Sequence, residues 1–142
     1  MNALVLGLDA LSAGMLSRVG GKAANLGELL SAGLPVPDGF CLTTEAYLQA
    51  VAPLGLDDVH RALQATPSAD VGALAGLASR ARGLITSAEL PPAIAEAVRS
   101  AYEELGSPEL PDVPVAVRSS ATAEDLPLAS FAGQQDTYLN VV

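Results

Sequence analysis

The stretch Val115-Ala116-Val117-Arg118-Ser119-Ser120-Ala121-Thr122-Ala123-Glu124-Asp125-Leu126-Pro127, continued by Ser130-Phe131-Ala132-Gly133-Gln134-Gln135-Asp136-Thr137-Tyr138-Leu139-Asn140, decides the reading of this chain. Val113, Val115 and Val117 alternate, which places them on one face of an extended segment and turns Arg118 to the other face where the strand runs out. Small Ser, Thr, Ala and Gly residues follow, leaving backbone N–H groups approachable. A second alternating segment then runs from Thr137 to Val142. A strand that delivers a fixed, planar cation into a permissive loop, with a strand after it, is an arrangement suited to the phosphates of a nucleotide.

Upstream the pattern is strand, helices, strands, which gives an α+β fold class with helices packed on a small sheet that includes 113–117 and 137–141. Leu4, Val5, Leu6 and Leu8 suggest a short buried strand, although a run this short also fits a helix. A helix is expected from Gly20 to about Ala32, with Ala23, Leu26, Leu29 and Leu30 on one face and Gly33 and Pro35 as the stop. Pro35-Val36-Pro37-Asp38-Gly39 reads as a turn and Phe40 to Leu42 as a short strand. Thr43 or Thr44 can cap a helix reaching about Ala50. Further helices are expected from about Leu56 to Ala65 and after a Ser68 or Asp70 cap, the latter with Val71, Leu74, Ala78, Ala81 and Ile85 as its apolar stripe. Pro91 and Pro92 open the clearest helix, with Ile94, Ala97, Val98, Ala101 and Leu105 at helical spacing and Gly106 and Pro108 at its end.

The second chemical feature is Val19-Gly20-Gly21-Lys22-Ala23-Ala24-Asn25-Leu26. A lysine in the first turn of a helix opposes the macrodipole, unless an anion sits there and reverses the sign. Gly20 and Gly21 would let the backbone approach such an anion. A solvated lysine after a Gly-Gly turn is the plainer alternative. The segment is no Walker A loop, because Leu16 stands where the first Gly belongs and Ala23 where Ser or Thr should follow Lys22.

Composition narrows the field. The 142 residues are 50% hydrophobic and only 4% aromatic, so the core must be built from Ala, Leu and Val. Folded compactly, a chain of this length would expose roughly 6,800 Å². A net charge of −9 with 7 basic residues argues against a surface for nucleic acid or an anionic membrane. Cys41 is the single cysteine, which rules out an intrachain disulfide and a cysteine-based metal site and suits a reducing, cytoplasmic setting. The first eight residues lack a basic stretch and Asp9 interrupts their apolar run, so neither a signal peptide nor a membrane span is expected. His60, the single histidine, follows Asp57 and Asp58 and reads as a partly exposed helical residue.

Val19 to Leu30, Val36 to Tyr47 and Val115 to Asn140 together resemble the N-terminal, ATP-grasp-type nucleotide-binding domain of the pyruvate phosphate dikinase and phosphoenolpyruvate synthase superfamily. Within it, Gly39-Phe40-Cys41-Leu42-Thr43-Thr44-Glu45-Ala46-Tyr47 and the segment from Phe131 to Asn140 look most like rifampicin phosphotransferase. Phosphoenolpyruvate synthase shares Val117 to Asp125 almost as well. Residues 51–111 contribute nothing diagnostic.

The resemblance implies a multidomain enzyme that splits ATP into AMP and phosphate and passes the β-phosphate through a histidine domain to an acceptor. A rifampicin-like antibiotic is the favoured acceptor, with pyruvate as the alternative; a non-catalytic nucleotide-binding or partner-contacting remnant is the reading from another class. By motif, Lys22, Arg118, Gly133 and Thr137 would bind ATP, with no catalytic residue and no metal ligand in this chain. Mg²⁺ would be held by residues elsewhere, and the partners implied are a second ATP-grasp lobe, the phosphohistidine domain and the acceptor domain. His60 does not match the phosphohistidine motif. Residues 1–142 are therefore expected to be the N-terminal portion of such a domain, truncated at its C-terminus and inactive alone.

Each role has a duller competitor. Arg118 could pair with Glu124 or Asp125, Gly133 could be an ordinary turn glycine, and Thr137 an ordinary strand threonine. Thr122-Ala123-Glu124-Asp125 fits a helix-capping turn better than a catalytic carboxylate pair. Ser119 and Ser120 have no histidine partner that would make either a nucleophile.

Overall fold

A computed structural model describes residues 3–122 and 136–142. Strand β1 (Val5–Gly7) pairs antiparallel with β2 (Phe40–Leu42) in the register Val5–Leu42, Leu6–Cys41, Gly7–Phe40. Between them lie two single 3-10 turns, Leu8–Ala10 and Ala13–Met15, and helix α1 (Leu16–Ser31). Helices α2 (Thr44–Val51), α3 (Leu56–Ala65), α4 (Val71–Thr86) and α5 (Pro92–Leu105) follow, then strands β3 (Val115–Arg118) and β4 (Thr137–Val141).

Local chemistry sets most of these boundaries. The Thr43 hydroxyl accepts the Ala46 N–H at 3.3 Å and caps α2, and the Asp70 carboxylate accepts the Ala73 N–H at 3.0 Å and caps α4. Pro92 opens α5, where its missing N–H costs nothing. Gly33, in a left-handed conformation, ends the α1 segment by bonding back to Leu30.

The core sits on α1. Leu11, Val19, Ala23 and Ala24 are buried together, and Leu6, Leu8, Met15 and Cys41 pack against them. The buried face of α1 is therefore made of small residues, Val19, Gly20, Gly21, Ala23, Ala24 and Gly27. Of the face expected from periodicity, Ala23 is buried, Leu26 and Leu30 are half-buried, and Leu29 is exposed, which corrects its place in the core. The reason is close approach of backbone to backbone. A Cβ on Gly27 would stand 2.5 Å from the Leu11 carbonyl oxygen.

Two further expectations are corrected. The helices pack on the β1–β2 ribbon, with α1 against β2 and α5 against β1, whereas β3 and β4 pair antiparallel in a separate two-stranded sheet. Every residue of β4 is exposed, as is all of β3 except half-buried Val115. The α4 stripe does not reach a core either. No residue of α4 is buried, Val71 remains 70% exposed, and the helix packs against α3. In α5 the stripe holds, with Ile94 buried and Ala97, Val98, Ala101 and Leu105 half-buried. The accessible surface is 9700 Å², well above the compact expectation. The α+β class stands.

Candidate functional site

Gly20 interrupts α1 with φ 77° and ψ 169°, so Leu16–Val19 form a first turn and a second helical segment starts at Gly21. With Gly20 as cap, Gly21, Lys22 and Ala23 occupy the first three positions of that segment, whose N–H groups lack intrahelical acceptors. Two of the three are satisfied from 97 to 100 residues away. The Gly21 N–H donates to the Ala121 carbonyl at 3.1 Å, and the Ala23 N–H donates to the Ser120 hydroxyl oxygen at 3.0 Å. The loop leaving β3 thus serves as a cap in trans.

The contact depends on the absence of a side chain at position 20. A Cβ there would lie 2.0 Å from the Ser120 carbonyl oxygen and 2.6 Å from its Oγ. The positive φ independently favours glycine. This alters the reason given for the Gly-Gly pair by sequence: the backbone that comes close is the protein's own, and the Ala121 carbonyl and the Ser120 hydroxyl occupy the Gly21 and Ala23 amides that an anion would have used. Any neutralisation of phosphate here therefore falls to side chains.

Arg118 ends β3, two residues before Ser120, and Thr137 opens β4 directly opposite Arg118 in the ladder. Both side chains are exposed, and Arg118 makes no ion pair among the described residues. Lys22 is half-buried. Two extended residues span roughly 7 Å, so the Ser120 anchor brings the end of β3 to the start of the Lys22 helix. Three of the four residues expected from motif, Lys22, Arg118 and Thr137, belong to this one junction. Gly133 lies outside the described residues, as do Glu124 and Asp125, the competing partners of Arg118.

The β3–β4 ladder carries an irregularity. Val115 pairs with Val141 and Val117 with Tyr138, so β4 has one residue more than β3 over this interval. Asn140 takes it up with φ 56°, a left-handed conformation that asparagine tolerates better than most residues. The bulge lies on the far side of Tyr138 from Thr137 and leaves the Arg118–Thr137 pair in register.

Supporting contacts hold the lysine side of the junction. The Thr44 hydroxyl donates to the Ser17 carbonyl at 3.1 Å, and the Glu28 carboxylate accepts the Ala13 N–H at 2.6 Å. The Cys41 thiol donates to the Val19 carbonyl at 3.6 Å, and burial pushes its pKa up. Sequence reasoning gave Ser120 no role beyond dismissing it as a nucleophile. The available signal was the Gly20-Gly21 pair, which requires something to come close. Among the described residues no three His, Cys, Asp or Glu side chains gather to hold a metal ion, and no helix is long and apolar enough to cross a membrane. His60 sits exposed on α3 beside Gln64, away from the junction.

Residues 16–142 match the model of a family described as pyruvate phosphate dikinase, AMP/ATP-binding domain. The chain belongs to this family. Among its relatives, a probable phosphoenolpyruvate synthase of Methanocaldococcus jannaschii is 48% identical over 139 residues, which is 94% of this chain and 11% of that protein. The phosphoenolpyruvate synthase of Pseudomonas aeruginosa is 45% identical over 142 residues, covering 96% of this chain and 18% of the relative. A rifampicin phosphotransferase from a Streptomyces species is 47% identical over 142 residues, covering 98% and 16%. The chain thus spans less than a fifth of the length of these curated relatives.

Proposed function

We propose that this chain supplies one wall of an ATP site in a dikinase-type phosphotransferase, with Lys22, Arg118, Gly133 and Thr137 facing the nucleotide. The observation that carries the reading is the junction: the hydrogen bonds from Gly21 and Ala23 to the post-β3 loop, and the Arg118–Thr137 pairing, link Lys22 near the start of the chain to Arg118 and Thr137 near its end. A compact ammonium and a rigid guanidinium fork placed together neutralise charge that spreads over phosphoryl oxygens as the transferring bond breaks. Binding, orientation and charge neutralisation are the roles of these residues. Proton transfer and covalent phosphoryl carriage fall to residues outside the chain. Mg²⁺, which commonly accompanies ATP phosphates, finds no ligand set among the described residues, so no step is assigned to it.

The relatives divide between phosphoenolpyruvate synthase and rifampicin phosphotransferase at nearly equal identity. The shared chemistry, ATP-dependent phosphoryl transfer through a histidine domain of the larger protein, is therefore the reading adopted. The acceptor, pyruvate or a hydroxyl of a rifampicin-like antibiotic, is decided by assaying the intact protein with each. For the site itself, titration calorimetry of the intact protein with ATP is expected to show binding that Arg118→Ala weakens at least tenfold without loss of folded structure. Arg118→Ala with unchanged ATP affinity and turnover overturns the reading. The 142-residue chain alone is expected to bind ATP weakly and to release no AMP or phosphate above background, because one wall leaves the adenine exposed and the in-line geometry unformed.

A further inference from the structure

The junction ties down Lys22 from both sides. Its two neighbours in the chain, Gly21 and Ala23, each donate a backbone N–H to the same two-residue segment, Ser120-Ala121. Lys22 lies between those anchors at the second helical position, so its Cα cannot shift along or around the helix start without breaking one of the bonds. On the other partner the anchors lie two and three residues after Arg118, at the end of the strand that carries it. Gly20 completes the arrangement by admitting the Ser120 carbonyl to a place that any Cβ would fill.

The two cations stand on different elements. Arg118 stands on a two-stranded ribbon none of whose residues is buried, and such a ribbon has little rigidity of its own. Lys22 stands on the helix that carries the core. Of the two anchoring bonds, the one to Ser120 is made by a side chain and can be removed without altering the backbone. Its loss would leave the Ala23 amide unsatisfied beside a half-buried hydroxyl site, which favours release of the loop.

We propose that Ser120 is a positioning residue for the nucleotide site: its hydroxyl, bonded to the Ala23 amide, holds Lys22 at a fixed distance from Arg118 so that both meet the phosphates together. This rests on the reading of Lys22 and Arg118 as phosphate contacts. Ser120 itself touches no substrate in the proposal. It acts through the spacing of two charges, and preorganising that spacing is what binding would otherwise have to supply.

The test is a double-mutant cycle on ATP affinity in the intact protein, read by titration calorimetry, with the Ala23 amide followed by hydrogen exchange. Ser120→Ala and the near-isosteric Ser120→Cys are both expected to speed exchange at Ala23 and to weaken ATP binding about tenfold. Ser120→Thr, which retains the hydroxyl, is expected to restore affinity to within about twofold. In a Lys22→Ala background the further change Ser120→Ala is expected to cost less than about twofold, because the charge it positions is gone. A full tenfold loss in that background overturns the proposal and leaves Ser120 a general stabiliser. Unchanged affinity in Ser120→Ala and Ser120→Cys, with Lys22→Ala and Arg118→Ala both impaired, overturns the positioning role while the site reading survives. Unchanged affinity in Lys22→Ala and Arg118→Ala overturns both.

Discussion

Helix α1 and the β3–β4 ribbon carry the two halves of the same candidate site, and they are stabilised in opposite ways. The helix buries Val19, Ala23 and Ala24 against Leu11 and is flanked by Leu6, Leu8, Met15 and Cys41. The ribbon buries nothing, and its Leu139 is 68% exposed. One half is ordered by tertiary packing; the other has its own ladder and, among the described residues, the bonds of Ser120 and Ala121 to the helix start. The lesson is that a ribbon with no buried residue can be anchored at a helix terminus, where backbone donors wait for acceptors.

The most severe way to break that attachment is Gly20→Ala. The new Cβ would lie 2.0 Å from the Ser120 carbonyl oxygen, and alanine would be held at φ 77°. A backbone at φ 77° and ψ 169°, a region open essentially to glycine alone, costs about 1–3 kcal/mol, and displacing the loop adds to it, so a loss of about 3 kcal/mol or more is expected in denaturant unfolding. A loss below about 1 kcal/mol would show that the loop does not sit on the turn. The effect should be specific to position 20. Gly33 and Gly55 also have positive φ, but nothing crowds a Cβ at either, so alanine there should cost only the backbone term.

A second contrast, between α5 and α4, predicts the next largest effect. Ile94 on α5 is 1% exposed, whereas Ile85 on α4 is 41% exposed. Ile94→Ala is expected to cost about 2–5 kcal/mol, the range for a truncated core aliphatic. Ile85→Ala is expected to stay within about 0.5–1 kcal/mol, as for a surface change. Equal losses in thermal or chemical unfolding would mean that α4 packs more deeply than its exposed stripe indicates.

These contrasts also mark what was legible in the sequence. Capping residues and proline punctuation act within a few positions, so Thr43, Asp70 and Pro92 announced their helices and α3 fell on the expected span. Which strands share a sheet depends on pairings across tens of residues that no local pattern encodes, and there the expectation of one sheet gave way to two ribbons. Hydrophobic size was misleading on α1. Of the face expected there, Ala23 is buried while Leu26 and Leu30 are only half-buried and Leu29 is exposed, because small residues let the Leu11 segment and the Ser120 loop come within backbone distance. For the candidate site, the motifs propose Lys22, Arg118 and Thr137, and nothing in the sequence pointed to the Ser120 bond with the Ala23 amide. A serine that caps a helix 97 residues away has no signature in its own neighbourhood.

The smallest effect concerns Cys41, which sits on the packed side and donates to the Val19 carbonyl just before the Gly20 break. Burial raises its pKa above the ordinary thiol value of 9.0, because the thiolate loses hydration it would keep in water. The folded chain therefore holds this proton to higher pH than the unfolded chain does. Below the unfolded pKa both states are protonated and the group contributes no pH dependence. As pH rises through that value the unfolded chain releases the proton first, and stability falls until the folded thiol ionises as well. Cys41→Ser removes the titration, so the difference in unfolding free energy between wild type and variant should be flat from about pH 6 to 8 and should shrink at the expense of the wild type above about pH 9. A difference that stays constant through the alkaline range would mean that the thiol is as well hydrated in the folded chain as in the unfolded one. The packed side of the site would then be more open than the β2–α1 contacts imply, and the contrast with the ribbon correspondingly weaker.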